Sequence, residues 1–216
     1  MEKGEKNYTK GSFIPKNYFR RRSIKGRSLT LHGVGLFRSD CLIGDFVTQI
    51  TISKWSHVAM ILRDITKDPT DQTGWYCFET NGELGSPSNP VRVQINPWGD
   101  VVSKYKGDIA IRDIQYNETK APDSKAMSSF VKSYLGKPFK LGYGCFLLSI
   151  WNGNRKQNEN LNSFFCSELT ACMLREFGLL PKHIVASNYW PKDFSSEINL
   201  ALIGASWGAE VSVNQK

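Results

Sequence analysis

The 216-residue sequence predicts an α+β domain, with strands gathered first and helices later. Three observations point there. Short runs rich in β-branched and aromatic residues fill the first half, each bounded by Gly, Pro, Asn or Asp. Beyond residue 120 the apolar residues recur at helical spacing instead. The two patterns are segregated rather than interleaved, which argues against a parallel βαβ sheet. A small antiparallel sheet or half-barrel packed against helices is the natural product.

Residues 1–38 read as a basic, poorly structured arm, and residues 39–216 as the folded domain. The formal charge is +8, and nearly all of the excess falls in the first 27 residues, MEKGEKNYTKGSFIPKNYFRRRSIKGR. Such an arm draws weakly on an anionic membrane surface or on nucleic acid, or is simply solvated. The nucleic-acid reading rests on charge alone, because no zinc-finger, RNP or helix-turn-helix signature accompanies it. Gly33-Val-Gly35 follows no predicted strand, so it is not read as a phosphate loop.

Five strands are expected. FVTQI (46–50) follows Gly44-Asp45, and VAMILRD (58–64) follows Ser56-His57. WYCFET (75–80) ends at Asn81-Gly82. VRVQI (91–95) is closed by Asn96-Pro97, and IAIRDI (109–114) is opened by Gly107-Asp108. A helix should then start at Pro122-Asp123-Ser124, a plausible cap, with Ala126, Phe130, Val131, Tyr134 and Leu135 on one face. Gly136 and Pro138 end it. LGYGCFLLSIW (141–151) is apolar but too short to assign to helix or strand. NGNRKQNENLN is a polar loop. A second helix lies in NSFFCSELTACMLREFGLLP (162–181), with Phe165, Leu169, Met173 and Phe177 as its buried stripe. Gly178 and Pro181 terminate it.

The five cysteines, Cys41, Cys77, Cys145, Cys166 and Cys172, are odd in number and lack CxxC spacing. That pattern suggests neither a disulfide framework nor a zinc site. No apolar run has the length of a signal peptide or of a spanning helix, which needs roughly 18 residues. A cytoplasmic protein with reduced thiols and no transmembrane segment is expected.

Cys166 is the residue that asks for an explanation. With Ser163 as N-cap it would sit in the first turn of its helix, where free amides and the helix dipole favour an anion. A thiolate placed there has a lowered pKa and is the nucleophilic form. The same amides could hold an oxyanion. Cys166 could equally be one more small buried residue. Cys172, deeper in the helix, has no such advantage. A nucleophile also needs a base, and only His32, His57 and His183 are available. His32 falls in the arm and His183 in a loop. His57 opens a strand, which is the firmer platform, although a turn histidine would look the same. A third group should orient the imidazole. Glu79 stands in an otherwise apolar strand, either facing solvent or aimed at a partner, and Asn81 lies two residues on as a substitute.

Taken in order, GDFVTQI, SKWSHVAMILRD, CFETNG, LGKPF, FFCSELTACMLREFGLLP and WPKDFSS resemble the permuted branch of the NlpC-type papain-like cysteine hydrolases. The match is to the YiiX-like group, with a similarity to a poxvirus virion-associated family and a more distant one to lecithin–retinol acyltransferase-like proteins. It covers roughly residues 40 to 198. The resemblance implies a circularly permuted papain-like fold. It also implies a Cys166–His57–Glu79 triad, with the Cys166 backbone N–H at the oxyanion and no metal or organic cofactor. Relatives commonly carry Tyr-Asp after Gly-x-Pro, where this chain has Phe139-Lys140, so substrate contacts near that loop differ. The implied activity is a thiol hydrolase that cleaves an amide, in a peptide or an amidated amino acid. The alternatives are a lipid acyl hydrolase or acyltransferase acting on a lipid ester at membranes, and a non-catalytic binding or virion component with a vestigial site.

Overall fold

The computed structural model describes residues 26–39, 48–49, 51–80, 91–117, 121–139, 162–198 and 200–213. Six strands form one antiparallel sheet: β1 (Leu29–Ser39), β2 (His57–Asp64), β3 (Trp75–Thr80), β4 (Val93–Pro97), β5 (Gly107–Tyr116) and β6 (Ala205–Ser212), in the order β4-β3-β2-β1-β5-β6. Among the described residues three α-helices accompany it: α1 (Trp98–Lys104), α2 (Ser124–Tyr134) and α3 (Cys166–Glu176). The class is α+β, as the segregated patterns predict.

Three expectations change. Residues 29–38, assigned to the arm, form β1, an interior strand between β2 and β5. Its pattern is hard to read because a bulge interrupts it. Leu29 and Leu31 point to the core on odd numbers, then the register shifts between Leu31 and Gly33, and Val34 and Leu36 continue on even numbers. One extra residue in a strand produces this switch of face. Glycine is required at the bulge, since a Cβ on Gly33 would run into the Arg112 carbonyl on β5. FVTQI is not a strand over its described part: Thr48, Gln49 and Thr51 are helical, and Ser53 N–H donates to the Thr48 carbonyl at 3.1 Å. Both edges of β2 are already taken by β1 and β3, so no ladder is free there. The third change is β6, which the sequence reading lacks altogether.

The other strands agree within a residue or two. Pro97 ends β4, at an edge of the described sheet, where a missing N–H is tolerated. Asp123 caps α2 by accepting from Ala126 N–H at 2.9 Å. At the end of α3, Gly178 adopts φ 70°, Leu179 N–H reaches the Leu174 carbonyl at 2.7 Å, and Gly178 N–H reaches Arg175 at 3.0 Å. This left-handed termination satisfies the last carbonyls.

The main core lies on one face of the sheet. Val34, Leu36, Val58, Met60, Leu62, Tyr76 and Phe78 are buried there with Met127 and Val131 of α2 and Leu169 and Met173 of α3. Of the expected α3 stripe, Leu169 and Met173 are fully buried, while Phe165 and Phe177 at its two ends are half-buried. A smaller core on the opposite face joins Phe37, Ala59, Cys77 and Ile109 to Val101 of α1. The Pro191–Phe194 turn is clamped onto the sheet by buried Arg112. Its Nη1 donates to the carbonyls of Ser195 at 2.5 Å and Phe194 at 3.4 Å, and its Nε to Gly208 at 3.2 Å. Among the described residues, no helix is long and apolar enough to cross a membrane.

Candidate active site

His57 is the first residue of β2. The turn before it is pinned by Ser56, whose N–H and Oγ both bond the Phe37 carbonyl, at 3.0 and 3.2 Å. The Phe37 ring lies 5.3 Å from the imidazole, centroid to centroid. On the adjacent β3 the register pairs Met60 with Phe78. Continued by one residue, it sets Glu79 opposite Ala59. His57 and Glu79 are therefore diagonal neighbours on one face, within reach of long side chains. His57 Nε2 and Glu79 Oε2 are 2.8 Å apart, with side chains only 13% and 5% exposed. A carboxylate can only accept, so Nε2 carries the proton and donates it into this bond. The other ring nitrogen, Nδ1, is left for a second partner.

That partner is Cys166. The thiol and the imidazole are joined by a hydrogen bond and by mutual charge. Cys166 is the first residue of α3, half-buried where the helix begins, and α3 packs against β2 and β3. Burial alone would push the thiol up. The charge and hydrogen bond of His57 outweigh it, helped by hydrogen bonds from the Val58 and Ser167 backbone, and hold the thiol below its usual range. Burial likewise opposes charge on His57. The Cys166 charge and hydrogen bond, with Glu79 in support, overcome it and raise the imidazole above its ordinary value. Both directions favour the same species, a thiolate–imidazolium pair.

The helix start differs in one detail from the expected one. Ser163 is not the N-cap; Phe165 occupies that position and cannot cap through its side chain. Glu168 accepts from the Phe165 N–H at 3.2 Å instead. The cap therefore sits immediately before the cysteine, placing Cys166 at the first helical position, where amides have no intrahelical acceptor.

The structure thus brings Cys166, His57 and Glu79 together. It separates the remaining candidates from them. His32 lies on β1, 3.1 Å from Asp113 and edge-on to Trp75, toward the far end of β2 from His57. His183 is exposed beyond α3. Cys77 is buried, and burial holds its thiol well above the ordinary range, the opposite of Cys166. Cys172 is buried in the body of α3. Asp45, Asn81, Lys140, Cys41 and Cys145 lie outside the described residues. Phe139 packs edge-on to Phe165 at 5.7 Å, one residue from Cys166.

Three participants went unread in the sequence. The Val58 and Ser167 amides that face the sulfur carry no side-chain signature. Gln94 does: its Nε2 donates to Glu79 Oε1 at 3.4 Å from the directly paired position on β4. Its signal was a polar residue between Val93 and Ile95, legible only once the β3–β4 register is known.

No family model matches the chain, and no curated protein matches it either. Among solved structures, the crystal structure of the metalloprotein yiiX from Escherichia coli O157:H7 is similar. It is 15% identical, over 86% of this chain and 97% of that one, with a TM-score of 0.43. Among the described residues of the present chain, no three His, Cys, Asp or Glu side chains are grouped to hold a metal ion.

Proposed function

We propose that this chain is a thiol hydrolase of permuted papain-like arrangement, cleaving an amide bond in a peptide or amidated amino acid. One observation carries the reading: a helix-start cysteine with a lowered pKa, bonded to an imidazole whose far nitrogen is held at 2.8 Å by a buried carboxylate. A merely structural cysteine requires none of these neighbours.

In this mechanism the Cys166 thiolate attacks the substrate carbonyl carbon, forming a C–S bond while the carbonyl π pair moves to oxygen. The Cys166 backbone N–H, at the first position of α3, donates to that oxyanion. His57, protonated, gives its proton to the leaving nitrogen as the C–N bond breaks. The neutral imidazole next removes a proton from water, which attacks the thioester. Collapse of the second tetrahedral adduct releases the acid, and the sulfur leaves as the thiolate beside a reprotonated His57. Glu79 keeps Nε2 protonated and Nδ1 directed at the sulfur throughout. Preorganised donors of this oxyanion type contribute roughly 100-fold or more each. An ester would follow the same steps with oxygen as the leaving atom.

The test uses a thiol-directed probe and a panel of aminoacyl and peptidyl anilides beside matched esters. Labelling of Cys166 at pH 6 that disappears in His57→Ala, together with turnover abolished in Cys166→Ala, is the expected result. Turnover in Cys166→Ala close to the parent's sinks the assignment. A correctly folded protein whose Cys166 labels no faster than a free thiol favours a binding role for the same residues.

A further inference from the structure

We propose that Gln94 is a positioning residue for the His57–Glu79 pair: its amide fixes the rotation of the Glu79 carboxylate so that Oε2 stays aimed at the imidazole. The inference rests on the hydrolase reading above and extends it to a fourth side chain on a third strand.

The geometry points to Gln94 in three ways. Register pairs Glu79 directly with Gln94 across β3 and β4, so both side chains leave the same face of the sheet. The two oxygens of Glu79 have different partners: Oε2 bonds His57 Nε2 at 2.8 Å and Oε1 accepts from Gln94 Nε2 at 3.4 Å. Glu79 is 5% exposed, so water has little access to replace a lost donor. A carboxylate held by a single hydrogen bond can turn about its last torsion, which is broad and roughly two-fold. A second donor on the other oxygen removes that freedom. The result is a row, His57–Glu79–Gln94, running across β2, β3 and β4 and ending on the sulfur side at Cys166. Its spacing is set by ladders between strands, whose separation is about 4.8 Å. Gln94 is half-buried and its side chain bonds Glu79, so its action is through that carboxylate.

The experiment follows alkylation of Cys166 by iodoacetamide from pH 5 to 9, read on the Cys166 peptide by mass spectrometry. Four proteins are compared: parent, Gln94→Met, Glu79→Gln and the double variant. Methionine keeps the length and removes the donor. Gln94→Ala replaces it if the methionine variant lacks the parent's far-ultraviolet circular dichroism. The expected result is roughly threefold slower alkylation at pH 6 in Gln94→Met, with convergence to the parent near pH 9, as suits loss of one long hydrogen bond to a charged group. In the Glu79→Gln background the same change should have no further effect, since coupled residues are not additive. An unchanged profile in a folded Gln94 variant overturns the proposal. An equal slowing in both backgrounds also overturns it, because a general structural role would act without Glu79. A parent whose Cys166 reacts no faster than a free thiol at pH 6 defeats the hydrolase reading itself, an outcome separable from the other two.

Discussion

Glu79→Gln is the sharpest single perturbation of the site. The change is nearly isosteric, and a glutamine carbonyl can still accept from His57 Nε2. It removes the negative charge and turns the oxygen that faces Gln94 into an NH2 group. In the native arrangement that charge lies 2.8 Å from Nε2, in a side chain 5% exposed. Hydrogen bonds to charged groups contribute about 1.5–3 kcal/mol, so replacing the charged acceptor by a neutral one should forfeit about 1.4 kcal/mol, a factor of ten. The sign follows from the ion pair. The carboxylate supports the imidazolium, and the imidazolium lowers the thiol pKa. Without the carboxylate the imidazolium is weaker and the thiol pKa rises. Thiolate at pH 6 therefore falls, by up to about tenfold, and alkylation of Cys166 slows with it. Above the ordinary thiol range both proteins are fully deprotonated and their rates converge. The assay is again peptide-resolved alkylation across pH, with circular dichroism to show that the variant is folded. Profiles that superimpose from pH 5 to 9 would refute the reasoning, since a carboxylate at this distance could not then be acting on the pair.

Two further expectations concern the scaffold. Arg112→Ala should lower stability by about 2–4 kcal/mol, because it strips donors from the carbonyls of Phe194, Ser195 and Gly208 and frees the turn they hold. A urea midpoint within error of the parent's would contradict this. Asp123→Ala removes the side-chain cap of α2 and should cost about 1 kcal/mol, with Asp123→Asn recovering most of it, both read by thermal or urea unfolding.

How much of this was legible in the sequence depends on the range of the interaction that decides each element. The α2 start was readable because Pro122-Asp123-Ser124 is a local signal, and its cap bond is local too. β2, β3 and β5 were readable because their apolar runs are long enough to stand out. β1 was hidden by a one-residue bulge that inverts its alternation at Gly33, a feature set by the close approach of β5. β6 is an edge strand in which most residues are only half-buried or exposed, so no clean apolar face marks it. The helix cap was misassigned for another reason. Ser163 has the better side chain, but Glu168 satisfies the Phe165 amide from inside the helix. At the site, residue type was enough to nominate Cys166, His57 and Glu79, whereas the Val58 and Ser167 amides and Gln94 needed register and backbone direction.

The order in which Cys166, His57 and Glu79 occur along the chain matters little, because only the folded geometry brings them together. What matters is which parts of the fold fix each distance. His57, Glu79 and Gln94 lie on consecutive strands of one sheet, so their spacing is held by backbone ladders. Cys166 belongs to a helix instead, and its distance to His57 depends on how α3 docks against the sheet. β2 compensates at that weaker joint. The residue that follows His57, Val58, directs a backbone hydrogen bond at the same sulfur, so the strand that carries the imidazole also grips Cys166. A small slide of α3 along β2 would have to break both contacts at once. Thiolate formation and the docking of α3 therefore reinforce each other. Charge on sulfur strengthens the amide and imidazole bonds that hold the helix start in place, and a well-placed helix start favours charge on sulfur.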